Sequence, residues 1–234
     1  MMDPSITLDY CRNLDDCADT HNKLSLRSSD ELYPGNVFYG CSHIVKRYAG
    51  LSPSVSLSGV WPHGIYYGGF APRFELHYKY FVAYSFEQYI DAHSKYYELL
   101  RTFVLPPRIY GFACPYQLAS YINHDEQILA DLRRMPSSVL YFPSHSSLLC
   151  NAMPLLDSIL GDVKYLRKSF SRVNLCVFWK DHVNKTYSSI LSEFDDVFCS
   201  GHQYDQLFLQ RLHLLISSHS AISGPSIGSH IWYA

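Results

Sequence analysis

The sequence has no long apolar run and no excess of positive charge. Its 234 residues include 19 Lys and Arg against 21 Asp and Glu, which gives a formal net charge of -2. Such a chain lacks the basic surface by which proteins neutralise the phosphates of a nucleic acid, so we expect no nucleic-acid partner. No stretch approaches the ~20 consecutive apolar residues of a transmembrane helix, and the first residues lack the basic and apolar regions of a signal peptide. We therefore expect a cytoplasmic protein, and peripheral association with the inner face of the membrane stays open.

Several cysteine and glycine motifs are also missing. The seven cysteines are scattered without CxxC spacing, which argues against a disulfide framework. Cys114, Cys176 and Cys199 lie in apolar segments, where we expect small core residues. There is no GxGxxG after a strand and no GxxxxGK[ST], so neither the dinucleotide nor the P-loop signature is present. Cys199 and His202 have the spacing of a zinc-ligand pair, but no second close pair completes a tetrahedral set, so we predict no metal site and no cofactor.

What the sequence does have is an alternation of apolar runs with helical patterns. Apolar residues make up 47% of the chain, enough for a sizeable core. Strands alternating with helices of about 10–15 residues predict βαβ units and parallel sheets. The alternation occurs on both sides of Pro136, which predicts an α/β protein with two Rossmann-like, doubly wound parallel-sheet domains, residues 1–135 and 136–234. The segments predicted as strands are residues 54–61, 80–85, 108–116, 138–144, 173–179, 196–200 and 219–223.

Small residues and histidines stand at the ends of several predicted strands. In open α/β sheets, ligands bind beyond the carboxyl ends of the strands. Small residues let a ligand approach the backbone, and the N–H groups and dipole of a following helix favour phosphate. We therefore predict a nucleotide diphosphate as the ligand, although ordinary turn chemistry explains each loop taken singly. The candidate phosphate-binding residues are Ser144, His145, Ser146, Gly201, His202, Ser226, Gly228, Ser229 and His230.

The order of the segments is similar to that of GT-B type glycosyltransferases from bacterial surface-polysaccharide and capsule clusters. The strings that carry the resemblance are GVWPHGI, RIYGFACPY, VLYFPSHSS, DVFCSGHQYDQLFLQRL and SAISGPSIGSHIWYA, and the scattered match covers residues 36–234. The step from Trp61 to Gly64 resembles the WHG of glycerophosphotransferases that polymerise teichoic acid, although Pro62 separates the tryptophan from His63 here. The resemblance implies an amino-terminal acceptor domain and a carboxy-terminal donor domain. Because the family's donor domain continues beyond such an ending, we expect the second domain to be incomplete at its carboxyl terminus.

The resemblance also implies a reaction. A sugar, or a related group, would pass from a nucleotide-activated donor to a glycan or lipid-linked acceptor during surface-polysaccharide biosynthesis. His63 matches the histidine placed as a base on the acceptor hydroxyl, and a neutral imidazole with a pKa of about 6.5 can take that proton near pH 7. His145, His202 and His230 would face the donor phosphates and offset charge on the leaving nucleotide.

Two alternative functions fit the same architecture. A nucleotide-sugar 2-epimerase shares the architecture but needs paired carboxylates for acid–base chemistry, and Glu75, Asp91 and Asp205 supply no convincing pair. Asp181 follows a predicted strand and is expected to cap the next helix. A non-catalytic α/β module that binds a ligand or a partner is the second alternative.

Overall fold

The computed structural model describes residues 6–19, 31, 33–57, 59, 61, 80–84, 108–112, 115–122, 135–146, 151–152 and 155–225. The strands are β1 (Tyr80–Tyr84), β2 (Arg108–Phe112), β3 (Met135–Tyr141), β4 (Arg172–Val177), β5 (Val197–Cys199) and β6 (His219–Ser223). The α-helices are α1 (Leu8–Arg12), α2 (Leu14–Ala18), α3 (Cys41–Tyr48), α4 (Pro115–Ile122), α5 (Leu156–Leu166), α6 (Trp179–Val183) and α7 (Phe208–Ser218). Two 3₁₀ segments cover Pro34–Gly40 and Ser188–Glu193.

The sheet that dominates the described residues is four-stranded, parallel and ordered β5-β4-β3-β6. The chain moves outward from β3 through β4 to β5 and then returns to the other side of β3. The strand order therefore reverses between β3 and β6. Strands β1 and β2 form a separate parallel pair. A parallel α/β architecture is thus confirmed, while the two Rossmann-like domains and their boundary at residue 135 stay predictions.

Both faces of this sheet are buried, because successive side chains of a strand point to opposite faces. On one face, Val139 of β3 and Leu175 of β4 pack with Ile159 of α5. On the other face, Leu140 of β3 packs with Leu212 of α7, together with apolar residues of α3 and α4. Burying each such aliphatic side chain contributes about 1.5–3 kcal/mol relative to exposure. Helices on both faces also explain why the carboxyl-terminal halves of β3 and β4, residues 139–141 and 175–177, are continuous apolar runs rather than alternating ones.

Helices α1 and α2 pack against β5, the strand at one edge of the sheet. The Cys17 thiol of α2 donates to the backbone oxygen of Cys199 in β5 at 3.2 Å. The Arg12 guanidinium of α1 is paired with Asp196, immediately before β5, at 3.2 Å. Residues assigned from sequence to the first domain therefore cover a strand assigned to the second.

Two predicted strands need correction. No strand is present at residues 54–57. Instead of pairing with a strand, the Leu57 N–H donates to the buried Glu31 carboxylate at 2.9 Å, and that carboxylate is also paired with Lys46. The strand predicted over residues 108–116 ends at Phe112, because α4 begins at Pro115. Proline has no N–H for a sheet but is well suited to the first turn of a helix.

Candidate functional site

The carboxyl ends of β3, β4, β5 and β6 all lie on the same side of the sheet, because these strands are parallel. That side is the carboxyl edge of the sheet, distinct from its two edge strands, β5 and β6. The segments after β3 and β6 touch there. A Cβ placed on Gly224, just after β6, would lie 2.5 Å from the Phe142 carbonyl oxygen, just after β3. Only glycine allows this approach. The contact lies at the reversal of strand order, where open α/β sheets form a ligand-binding crevice.

The predicted phosphate-binding residues fall into three groups. Ser144 and His145 are exposed in the segment after β3, whereas Ser146 is buried beside them. Gly201 and His202 are buried in the segment after β5. The remaining predicted site residues, His63, Ser226, Gly228, Ser229 and His230, lie outside the described residues.

Asp181 fixes the segment after β3. Its carboxylate is 1% exposed and accepts two hydrogen bonds from Ser146, from the backbone N–H at 2.9 Å and from the hydroxyl at 2.5 Å. The Ser146 hydroxyl oxygen in turn accepts from the Ala152 N–H at 2.8 Å. The expectation that Asp181 caps α6 is therefore wrong, because Phe178 holds the capping position. Sequence reasoning missed this role because an Asp after a strand more commonly caps the next helix, and only proximity to Ser146 reveals the alternative.

Two aromatic contacts surround the same segment. The Tyr187 hydroxyl donates to the Ser144 carbonyl oxygen. Burial and the Asp181 charge together raise the pKa of Tyr187 to about 12, so its hydroxyl keeps its proton at neutral pH. The His145 ring packs against Phe178, with 5.1 Å between ring centroids, and its Nδ1–H donates to the Ser146 carbonyl at 2.9 Å. In the neutral ring this leaves Nε2 as the nitrogen that can accept.

A buried ion pair holds the segment after β5. The Arg211 guanidinium lies 2.6 Å from the Asp205 carboxylate and also donates to the Ser200 carbonyl at 3.3 Å. Gly201 has φ +118°, and a Cβ there would lie 2.7 Å from Arg211 Nη1. Both its conformation and its neighbour therefore require glycine.

His202 is 2% exposed and packs on the Trp179 ring, with 4.0 Å between centroids. Its Nδ1 accepts the Tyr204 N–H at 3.2 Å, which assigns the proton of the neutral ring to Nε2. The imidazole is thus held in one orientation by protein contacts. Its assignment to the donor phosphates stays a prediction.

A cavity of about 720 Å³ lies between α2 and the segment after β4. Asp181 and Tyr187 line it, and the same two residues hydrogen-bond to Ser146 and Ser144 of the segment after β3. His182 and Asp15 bridge its rim at 2.8 Å. The predicted phosphate-binding residues are not among those lining the cavity.

Within the parts of the chain that the structure describes, no group of three or more His, Cys, Asp or Glu side chains could hold a metal ion. The same parts contain no helix that combines the length and the apolarity needed to cross a lipid bilayer. Comparisons with protein-family models, with curated proteins and with solved structures found no match to this chain.

Proposed function

We propose that the carboxyl edge of the four-stranded sheet binds the diphosphate of a nucleotide-activated sugar. The protein would transfer the sugar, or a related group, to a glycan or lipid-linked acceptor in surface-polysaccharide biosynthesis. A lipid-linked acceptor would place it at the inner face of the membrane. The observation that carries the proposal is the strand order β5-β4-β3-β6, with its reversal at the contact between Gly224 and Phe142.

The groups available at this edge suit an anion. Ser144 and His145 are exposed there; they can offer a hydroxyl and, when the ring is protonated, the Nε2–H of an imidazolium whose Nδ1–H stays on the Ser146 carbonyl. Gly224 supports close approach of the two segments, and the chain continues from it towards Ser226 and Gly228, whose part in phosphate binding remains a prediction. Donors aimed at the leaving diphosphate would stabilise the charge that develops during transfer.

The proposed reaction needs one base. His63 would accept the proton of the acceptor hydroxyl as its oxygen bonds to the anomeric carbon of the sugar. The bond from that carbon to the diphosphate breaks, and the nucleoside diphosphate leaves with the electron pair. This assignment rests on the WPHG resemblance alone.

Titration calorimetry on the full chain tests the binding step. The probes are uridine, guanosine and cytidine diphosphate, each compared with its own nucleoside. We expect at least one diphosphate to bind more tightly than its nucleoside. Ser144→Leu and His145→Ala should each weaken binding of that diphosphate about 10- to 100-fold, which corresponds to the loss of one charge-assisted hydrogen bond of ~1.5–3 kcal/mol. Neither variant should change the affinity for the nucleoside. The matched control is Ser169→Leu, an exposed serine before β4 at the opposite edge of the sheet.

The outcomes separate the alternatives. Absence of binding by every diphosphate contradicts the proposal and favours a non-catalytic module. If diphosphate and nucleoside lose equal affinity in the variants, the segment is an ordinary turn. Uridine- and guanosine-diphosphate sugars then test the reaction: conversion of the sugar without an acceptor favours the epimerase. Release of nucleoside diphosphate that falls ~10²–10⁴-fold in His63→Ala favours transfer with His63 as the base.

A further inference from the structure

Asp181 is a buried carboxylate to which the proposed reaction gives no part. Burying an ionised carboxylate is costly unless hydrogen bonds compensate it. Here both carboxylate oxygens accept from one residue, at 2.9 Å from the Ser146 N–H and 2.5 Å from its hydroxyl. Two charge-assisted bonds to one residue fix both its position and its orientation.

These bonds change what Ser146 can offer to a ligand. Its N–H and its hydroxyl proton both go to Asp181, and its hydroxyl oxygen accepts from Ala152. The polar atoms of Ser146 are thus engaged inside the protein. Tyr187 makes a second tie, to the Ser144 carbonyl, so the chain after β4 holds the segment on both sides of His145.

We infer that Asp181 is the positioning residue of this site, with Ser146 as its anchor rather than as a ligand. Through Ser146, Asp181 holds residues 142–146 so that the exposed side chains of Ser144 and His145 face the diphosphate. This inference rests on the proposed function. It also gives Ser146 a different role from the one predicted from sequence.

The Asp181 charge lets an experiment distinguish a positioning role from a purely electrostatic effect of this residue on the ligand. The Asp181 charge repels a nearby phosphate, so removing that charge would by itself tighten diphosphate binding. Loss of the anchor acts in the opposite direction, because the segment must then be ordered when the ligand binds. The sign of the change in affinity for Asp181→Asn therefore decides which effect dominates.

The experiment uses the full chain and whichever of uridine, guanosine or cytidine diphosphate the wild type binds best, with its nucleoside. For Asp181→Asn we expect diphosphate affinity to fall about tenfold while nucleoside affinity stays unchanged, since one strong hydrogen bond is worth ~1.5 kcal/mol. In Ser146→Ala the diphosphate affinity should fall less, because the backbone N–H of residue 146 still donates to Asp181. Ser146→Thr, which keeps the hydroxyl, should restore the wild-type ratio. Asp157→Asn is the matched control, since it removes an exposed carboxylate at the start of α5.

Amide hydrogen exchange on the same variants supplies a readout that needs no ligand. We expect faster exchange in Asp181→Asn at Ser146 and Ala152, with β4 protected as in the wild type. If Asp181→Asn does not fold, Ser146→Ala and Ser146→Thr carry the comparison.

Three results overturn the inference: unchanged or tighter diphosphate binding in Asp181→Asn, equal losses for diphosphate and nucleoside, or unchanged exchange at Ser146. A wild type that binds no diphosphate overturns the proposed function instead. In that case faster exchange confined to residues 142–152 still supports the anchor, and unchanged exchange refutes it.

Discussion

The ion pair between Arg211 and Asp205 should dominate the stability of the segment after β5. The change to make is Asp205→Asn, which leaves a guanidinium that is 2% exposed beside a neutral amide. Burial alone would lower the pKa of Arg211, but the Asp205 carboxylate at 2.6 Å raises it above its ordinary value. The variant therefore removes the group that stabilises the buried charge.

The loss in the free energy of unfolding depends on the unpaired charge that each variant leaves buried. Removing one member of a buried ion pair costs about 3–5 kcal/mol, because an uncompensated charge remains inside. Arg211→Met should cost a similar amount, since it leaves Asp205 buried and also removes the guanidinium that lies 4.5 Å from the Tyr10 ring centroid. The double variant has no buried charge, so its cost should fall short of the sum of the two single costs by at least about 2 kcal/mol.

Urea unfolding, followed by circular dichroism, measures all three costs at once. Because the pair is buried, 0.5 M salt should change them little. A loss below ~1 kcal/mol in Asp205→Asn, or additive losses in the double variant, would refute the reasoning.

Three further predictions concern single groups. Gly201→Ala should lower the free energy of unfolding by at least ~1–3 kcal/mol, from its φ of +118° and the contact with Arg211. Gly50→Ala shares a positive φ but meets no neighbouring atom, so an equal loss there would contradict the role of Arg211. Burial lowers the pKa of His219 in the folded protein, so on acidification the unfolded chain binds its proton first. The free energy of unfolding should therefore reach its full value above pH ~6.5 and decrease below it. Urea midpoints at pH 7.5 and 5.5 measure this, and an unchanged slope in His219→Gln would exclude His219. Tyr187→Phe should cost ~0.5–1.5 kcal/mol through the lost bond to Ser144, and unchanged amide exchange at residues 144–146 would show that the bond is unimportant.

The parallel sheet could be predicted from sequence because its signals are local. Strand β6 has the predicted bounds, and β4 differs from its prediction by a few residues because Trp179 begins α6. Helix α5 is absent from the sequence-based scheme although Ile159 and Val163 have helical spacing. Its capping residue is Leu155, which makes no side-chain cap, so the usual signal for a helix start is missing.

The site was less predictable because its decisive contacts join distant parts of the chain. The edge that carries Ser144 and His145 follows from a general rule about parallel sheets. The bonds between Asp181 and Ser146 depend on how α6 meets the segment after β3, and no local pattern encodes them. Residues 54–57, where a strand was expected to begin, form none for a similar reason: the Glu31 carboxylate accepts the Leu57 N–H that a neighbouring strand would otherwise accept.

The cover that α1 and α2 place over β5 has a consequence for the protein in concentrated solution. Among the described strands, β5 lies at the edge of the sheet, and an uncovered edge is a template on which another chain can add a strand. The Cys17 thiol donates a hydrogen bond to the Cys199 carbonyl, and the Arg12 guanidinium lies beside the same edge strand. We expect a shortened protein that begins after residue 19 to self-associate more readily than the full chain, which sedimentation at several concentrations would measure. Residues 6–18 thus occupy an edge on which a second chain could otherwise add a strand.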